Sequence, residues 1–186
     1  MTKSIMSAVD TGAELEKTLR RTIRDIPDFP KPGVVFKDIT PLLLDAELFR
    51  RTTDAMAEPF AGDRISHVIG IESRGFILGA PIAQRLGAAF VPIRKRGKLP
   101  SLVERIEYAL EYGIDALEVH RDALHDGHRV LVVDDVLATG GTADAACRVV
   151  ERLGATVVGC SFLMVLTFLP GWDRLAGRRV VSLLRY

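Results

Sequence analysis

Two adjacent carboxylates, Asp134 and Asp135, followed by a Gly-rich segment, have the clearest chemical potential in this chain. The apolar run 130–133 before them predicts a buried strand of a parallel sheet, because both faces of such a strand are covered. Gly140 and Gly141 let backbone N–H groups converge on an anion, and the apolar residues beyond them recur at helical spacing. The pattern predicts a strand that stops at the carboxylates, an anion-binding loop, and a helix whose positive end faces the loop.

The same segment lacks the two common nucleotide-binding motifs. A Walker-type loop needs a lysine beside its last Thr or Ser, and a dinucleotide fingerprint needs three spaced glycines before any acid. Neither pattern is present. Carboxylates accept hydrogen bonds from sugar hydroxyls, whereas N–H groups and Thr hydroxyls donate to phosphate oxygens. The combination indicates a ligand in which vicinal hydroxyls lie beside a phosphate, as in ribose 5-phosphate.

This segment resembles the signature of the type I phosphoribosyltransferases, which bind 5-phosphoribosyl 1-pyrophosphate. The resemblance implies that Asp134 and Asp135 contact the ribose hydroxyls. It also implies a 5-phosphate loop, which consists of Ala138, Thr139, Gly140, Gly141 and Thr142.

A second strand-to-helix turn, Gly70 to Phe76, carries a guanidinium beside a glycine. In the type I family the equivalent loop holds pyrophosphate. The resemblance therefore implies that Arg74 supplies positive charge, while the backbone N–H groups of Ser73 to Gly75 line the oxyanions. Two phosphate loops imply one ligand that is phosphorylated at two positions.

A basic run, residues 94–98, follows the next predicted strand. By resemblance, Arg94 and Lys98 neutralise the leaving pyrophosphate together with Mg²⁺, which is bound mainly through that substrate and not by a cage of protein ligands. We expect residues 95–102 to form a mobile loop, and the chain onward to about Glu107 to close over the site. Closure would exclude water from an oxocarbenium-like ribosyl centre.

Three segments, 29–41, 94–100 and 108–113, together look like the adenine phosphoribosyltransferases. That resemblance implies transfer of the phosphoribosyl group from the pyrophosphate donor to N9 of adenine, which gives AMP and pyrophosphate. An early hood segment would read the purine edge through main-chain groups and would stack on its ring. The hood residues are Val35 and Lys37 for the edge, with Phe36 and Leu166 on the two faces of the ring.

The same resemblance assigns two residues near the predicted lid. Glu111 would transfer the proton or orient adenine, and Tyr112 would line the pyrophosphate region or the lid, the segment that closes over the site. The family usually carries a glutamate before the leucine that stacks on the base, whereas this chain has Val165 before Leu166. We expect that departure to remove a charge from the rim of the base pocket.

Apolar runs at 65–71, 88–93, 130–134, 156–164 and 180–184 alternate with helical stretches such as 76–85 and 143–153. This rhythm predicts an α/β fold, a mostly parallel doubly wound sheet, with the ligand site beyond the carboxyl ends of its strands. The 186 residues, 48% of them hydrophobic, suit one domain, 1–186, with an N-terminal helix and hood over about residues 1–45.

Charge and composition exclude several other classes. The 25 basic and 24 acidic residues nearly balance, so we expect no nucleic-acid or membrane partner. Cys147 and Cys160 lack metal-ligand spacing and are predicted to be buried thiols of a reducing compartment. The histidines show no metal motif, and no apolar run approaches the length of a membrane span. These features predict a cytoplasmic protein, and the family resemblance predicts a homodimer.

Two alternatives remain open from the sequence. A phosphoribosyltransferase for another base would share both phosphate loops and differ in the hood. A regulator that senses the ribosyl donor would use the same fold without catalysis, but it would need a DNA-binding region, and no helix-turn-helix charge pattern precedes residue 65.

Overall fold

The computed structural model describes residues 12–109 and 114–186. The chain divides into two compact units, one up to Thr52 and one from Thr53 onward. The prediction of a single domain with a hood over about residues 1–45 stays a prediction. Within the described residues, no helix is long and apolar enough to cross a membrane.

The first unit contains short elements and an antiparallel ribbon. Its apolar positions recur at helical spacing in α1, where Leu15 and Leu19 are buried. Ion pairs join the two strands of the ribbon, for example Lys37 to Asp25 at 2.6 Å. The elements are α1 (Gly12–Thr22), β1 (Arg24–Pro27), β2 (Val35–Asp38), α2 (Thr40–Leu43) and α3 (Ala46–Ala57), which continues into the second unit.

The second unit is built on a seven-stranded sheet with the order β5-β6-β4-β3-β7-β8-β9. Strands β4, β3, β7, β8 and β9 are parallel, whereas β5 and β6 form an antiparallel hairpin at one edge. The strands are β3 (His67–Ile71), β4 (Ala89–Lys95), β5 (Val103–Ala109), β6 (Ile114–His120), β7 (Arg129–Leu137), β8 (Thr156–Val165) and β9 (Val180–Arg185), and the helices are α4 (Arg74–Leu86), α5 (Gly141–Arg152) and α6 (Gly171–Arg174). The predicted α/β fold with a mostly parallel sheet is confirmed.

Both faces of the central strands are buried. In β7, Val130 and Val132 belong to a core cluster that includes the inner face of α5, and the alternating Leu131 and Val133 are fully buried on the opposite face. The predicted burial of the two thiols is confirmed, since Cys147 and Cys160 are inaccessible and their Sγ atoms lie 3.6 Å apart.

Two predictions about loops are wrong. Strand β7 does not stop at the carboxylates but continues to Leu137, because the residues after Asp135 still pair with β8. Residues 103–107 are not a loop but part of β5. The alternation that buries Ile106 and Tyr108 makes this segment a half-buried edge strand paired with β6.

Candidate active site

The site lies where the chain connections of the sheet reverse direction. From β3 the chain passes through α4 to β4 on one side, and from β7 it passes through α5 to β8 on the other side. Strands β3 and β7 are parallel neighbours, so the connections after them leave a crevice beyond their carboxyl ends. Such a reversal is the place where open α/β sheets bind ligands.

A cavity of about 520 Å³ occupies this crevice. Its wall combines residues from both predicted phosphate loops, from the basic segment at the end of β4 and from the β5–β6 hairpin. The lining residues are Glu72, Ser73, Arg74, Lys95, Lys98, Tyr108, Asp115, Leu117, Asp134, Asp135, Val136, Leu137, Ala138, Thr139, Gly140, Thr142 and Ala143.

The predicted 5-phosphate loop runs into the N-terminus of α5. Gly140 caps this helix with φ of 78°, a left-handed conformation that L side chains rarely adopt, and its carbonyl accepts the N–H of Asp144 at 2.9 Å. The first N–H groups of a helix have no partner within it, and they carry the positive end of its dipole. The loop therefore presents donors and partial positive charge to the cavity.

The acid pair lies between the two loops and is tied to one of them. Asp135 is 3% exposed, and its Oδ2 lies 2.9 Å from Nε of Arg74. The backbone N–H of Asp135 donates to Oδ1 of Asp134 at 2.9 Å.

The two carboxyl groups differ in the charges around them. Burial and then the charge of Asp135 raise the pKa of Asp134 well above its usual range. Burial also raises the pKa of Asp135, but the Arg74 guanidinium opposes that rise. Asp134 is therefore the member that takes up a proton more readily.

The predicted pyrophosphate loop approaches the acid pair closely. Helix α4 begins at Arg74, within the predicted loop, so a second helix N-terminus opens into the cavity. A Cβ atom at Gly75 would lie 2.8 Å from the carbonyl oxygen of Val133 and 3.0 Å from Oδ1 of Asp134. Only glycine allows the start of α4 to lie this close to β7.

The cations predicted to bind the leaving group converge on one carboxylate. Lys98 Nζ and Arg94 Nη2 lie 2.5 and 3.4 Å from Oε1 of Glu72, and the N–H of Lys95 donates to Oε2 at 3.0 Å. Burial raises the pKa of Glu72, but the hydrogen bonds from Lys98, Lys95 and Arg94 outweigh it and lower that pKa to about 2. Glu72 thus holds these cations together at the rim of the cavity.

A second carboxylate anchors the turn after β4. Glu118 is 1% exposed and accepts the N–H of Gly97 at 2.8 Å, while its other oxygen binds Nε of Arg105 at 2.7 Å. The basic segment is therefore fixed to the hairpin on one side and to Glu72 on the other.

A polar network connects the hairpin to the 5-phosphate loop. Thr142 Oγ1 donates to the Tyr108 hydroxyl at 3.5 Å, and that hydroxyl donates to Oδ2 of Asp115 at 3.2 Å. The ammonium of Lys95 lies 3.4 Å from the same oxygen. Burial is the main cause that raises the pKa of Tyr108, so its hydroxyl stays protonated and remains a donor.

The structure gathers many of the predicted residues on the wall of this cavity. These are Ser73, Arg74, Lys98, Asp134, Asp135, Ala138, Thr139, Gly140 and Thr142. Gly75, Arg94, Gly141 and Leu166 lie outside the lining, although Gly75 and Gly141 belong to the two helix starts and Arg94 reaches the site through Glu72. Glu111 and Tyr112 lie outside the described residues.

The predicted hood residues belong to the first unit. Val35, Phe36 and Lys37 form β2, with Val35 51% exposed. The Phe36 ring packs edge-on against Phe29, with centroids 5.2 Å apart.

The position that departs from the family pattern lies in the core. Val165 is 1% exposed and belongs to the main apolar cluster, while the effect of its missing charge on the base pocket stays a prediction. Residues 161–165 are all buried, as in a strand covered on both faces, while the neighbouring Leu166 is partly exposed.

Several cavity residues were missed from the sequence. Glu72 lies inside the predicted pyrophosphate segment and Lys95 inside the basic run, so the motifs themselves could have indicated both residues. Tyr108 and Asp115 come from the hairpin, and only the alternation of residues 103–108 could have indicated that this segment joins the sheet.

Among the described residues, no group of three or more His, Cys, Asp or Glu side chains could hold a metal ion. The carboxylates on the cavity wall are those of Glu72, Asp115 and the acid pair.

Comparisons with known proteins agree with this geometry. Residues 46–182 match the model of the phosphoribosyl transferase domain family. An adenine phosphoribosyltransferase of Myxococcus xanthus is 58% identical over 178 residues, which cover 95% of this chain and 96% of that protein. A crystal structure of adenine phosphoribosyltransferase from Rhodothermus marinus matches this fold with a TM-score of 0.90 and 53% sequence identity. The match covers 94% of this chain and 99% of that chain.

A third relative was solved with ligands. The adenine phosphoribosyltransferase of Saccharomyces cerevisiae, complexed with an imino-altritol bisphosphate and adenine, is 39% identical with a TM-score of 0.88, covering 92% of this chain and 99% of its own. The family match and the identities over nearly the whole chain agree with the fold and with the two anion loops. The chain belongs to the phosphoribosyltransferase family.

Proposed function

We propose that this protein is an adenine phosphoribosyltransferase. It transfers the 5-phosphoribosyl group from 5-phosphoribosyl 1-pyrophosphate to N9 of adenine and produces AMP and pyrophosphate, a purine salvage reaction. The observation that carries the proposal is one cavity into which two helix N-termini open, with an acid pair between them. The relatives named adenine phosphoribosyltransferase support the choice of base.

The donor is bound at its two phosphorylated ends. The loop from Ala138 to Thr142 binds the 5-phosphate through N–H groups at the start of α5, and the loop from Ser73 to Gly75 binds the pyrophosphate at the start of α4. Asp134 and Asp135 accept hydrogen bonds from the ribose hydroxyls between the two anions. The 2.9 Å ion pair of Asp135 with Arg74 supports this arrangement, because it joins the sugar site to the pyrophosphate site.

The leaving group is stabilised by Arg74, Arg94 and Lys98. Cations that are held before substrate arrives stabilise developing negative charge without a cost of reorganisation during the reaction. The carboxylate of Glu72, which gathers Arg94 and Lys98, supports this role.

The residues present fit a magnesium ion bound mainly through substrate. Carboxylate oxygens are the donors that Mg²⁺ prefers, and the cavity wall offers those of Asp134 and Asp135. When bound, the ion supplies charge neutralisation to the departing pyrophosphate. Asp134 and Asp135 would face it directly or through water, while the two loops orient the donor.

Adenine is recognised by the hood. Main-chain groups of Val35 and Lys37 read the edge of the base, while Phe36 and Leu166 stack on its faces. Val35 and Phe29, each 51% exposed, give the hood segment an apolar surface that supports a role in ligand contact. Glu111 accepts the proton that N9 loses or orients the base, and Tyr112 lines the pyrophosphate region.

The reaction is a displacement at C1 of the ribose with inversion. N9 attacks from the face opposite the pyrophosphate, and the bond from C1 to the pyrophosphate oxygen breaks through a state rich in positive charge at C1. Asp134 and Asp135 stabilise that charge through the ribose hydroxyls they hold. A homodimer and a cytoplasmic location are part of the proposal.

The test is product analysis with purified protein, the ribosyl pyrophosphate donor, Mg²⁺ and adenine, with EDTA as the control. We expect AMP and pyrophosphate in equal amounts, and none with EDTA. Binding of the donor without turnover of any base would contradict the proposal and favour a regulator.

A further inference from the structure

The C-terminal turn, defined as Pro170 to Arg174, packs against the back of the 5-phosphate loop. A Cβ atom at Gly171 would overlap the carbonyl oxygen of Ala138 and would lie 3.0 Å from its carbonyl carbon and 3.1 Å from N of Gly140. The approach is reciprocal, because a Cβ atom at Gly140 would lie 2.9 Å from both Cα and the carbonyl oxygen of Gly171. The two backbones are therefore in direct contact with no side chain between them.

The C-terminal turn is itself firmly anchored. Leu175, which follows it, is 1% exposed and belongs to the main core cluster, and the N–H of Arg174 donates to the carbonyl of Pro170 at 3.0 Å. On the other side, the N–H of Leu166 donates to the carbonyl of Leu137 at 3.0 Å, immediately before the loop. A rigid element thus supports one side of the loop, while the other side faces the cavity.

From this contact we infer that Gly171 is a positioning residue for the 5-phosphate. It touches no substrate and acts through Ala138 and Gly140, because its missing side chain lets the C-terminal turn hold the loop where its N–H groups meet the phosphate. The inference rests on the proposed function, since it assumes that this loop binds the 5-phosphate.

The test compares Gly171→Ala with Gly62→Ala, whose added Cβ would have no atom within 4 Å. Binding of ribose 5-phosphate and of pyrophosphate with Mg²⁺ is measured by calorimetry, and folding by thermal denaturation. We expect Gly171→Ala to weaken ribose 5-phosphate binding by about ten- to 100-fold while pyrophosphate binding changes less than about threefold, because a displacement near 1 Å disrupts one loop only. Gly62→Ala should match the wild type.

Equal binding of ribose 5-phosphate by the folded Gly171→Ala and the wild type would overturn the inference, and so would equal losses for both ligands. If the wild type itself binds no ribose 5-phosphate, the proposed function fails together with the inference.

A measurement on the wild type serves if Gly171→Ala does not fold. Saturating ribose 5-phosphate should slow amide hydrogen exchange in residues 171–175, which the ligand does not touch, and leave β1 unchanged. Unchanged exchange in residues 171–175 would overturn the inference.

Discussion

At the scale of single residues, neighbouring charges give identical side chains different properties. Asp134 and Asp135 are adjacent in β7, yet only Asp135 has a guanidinium within ion-pair distance among the pairs described. The raised pKa of Asp134 means that its buried charge opposes folding at neutral pH. A group that lowers stability in this way is typical of a functional site, where such a cost is tolerated.

The first prediction concerns this pair. Asp134→Asn and Asp135→Asn should each lower turnover by roughly 10²- to 10³-fold, because the lost charge acts mainly in the transition state. Steady-state kinetics with saturating donor checks this, and wild-type turnover in both variants would contradict the assignment.

Asp134→Asn should also change the pH dependence of stability. A carboxyl whose pKa is higher folded than unfolded destabilises the fold as pH rises through and above its usual value of 3.8. The variant should therefore gain unfolding free energy relative to wild type as pH increases from 3 to 7. Denaturant unfolding across that range measures it, and a gain that shrinks as pH rises would show that the sign is wrong.

Glu72 is the opposite case, since its pKa is lowered to about 2. Its contribution to stability should be complete above about pH 4.5 and should disappear as pH falls toward 2. Glu72→Gln should therefore lower the unfolding free energy by about 1 to 3 kcal/mol at pH 7, since hydrogen bonds to a charged group are lost.

The matched control for Glu72→Gln is Glu107→Gln, an exposed position. It should stay within about 0.5 kcal/mol of wild type at pH 7. At pH 2.5 the wild-type carboxylate is partly protonated, so Glu72→Gln should lose much less unfolding free energy there than at pH 7. An equal loss at both pH values would contradict the account.

At the scale of elements, strands and helices with strong periodicity were predictable, and the edge hairpin was not. Strands β3, β4, β7, β8 and β9 follow apolar runs, a pattern typical of the strands of a mostly parallel sheet. In β5, charged residues interrupt the apolar positions, and the basic segment before it has the composition of a loop. The alternation of residues 103–108 is a weak sign of a half-buried strand, but its pairing with β6 depends on contacts that no local pattern shows.

The Tyr108 hydroxyl joins the hairpin to the 5-phosphate loop. Tyr108→Phe removes the hydroxyl between Thr142 and Asp115, so the Thr142 side chain loses a partner at 3.5 Å. We expect KM for the ribosyl pyrophosphate donor to rise by about five- to tenfold, the value of one neutral hydrogen bond, with a smaller change in kcat. Steady-state kinetics with varied donor measures it.

Asp115→Asn is the companion variant. It loses the charge beside Lys95 and one of the two oxygens that accept from Ala116 N–H and Tyr108, but it keeps the Tyr108 hydroxyl as the partner of Thr142, so it should change KM for the donor less than Tyr108→Phe does. An unchanged KM in Tyr108→Phe would show that the network does not position Thr142.

At the scale of the whole molecule, the sequence indicated where the site lies but not what supports it. The order of strands and helices predicts ligand binding beyond the carboxyl ends of parallel strands, and the cavity lies there. The contact between Gly171 and the 5-phosphate loop joins segments about thirty residues apart in the chain. Such a close approach depends on the path of the backbone through the finished sheet, so no local pattern marks Gly171 as its partner.

The division into two units is a further property of the whole chain. The loops proposed to bind the donor belong to the second unit, whereas β2, which is proposed to read the edge of the base, belongs to the first. In this proposal the edge of the base is read by a segment other than the phosphate loops, which is why those loops alone do not identify the base.

The central claim is therefore tested most directly by comparing bases. The measurement is kcat/KM for adenine, hypoxanthine, guanine and uracil with saturating donor and Mg²⁺. A six-position carbonyl presents an acceptor where the amino group of adenine presents a donor, at a cost of about 1 to 3 kcal/mol, so adenine should exceed hypoxanthine and guanine by about five- to 150-fold. Equal or greater kcat/KM for any of the other three bases would contradict the account.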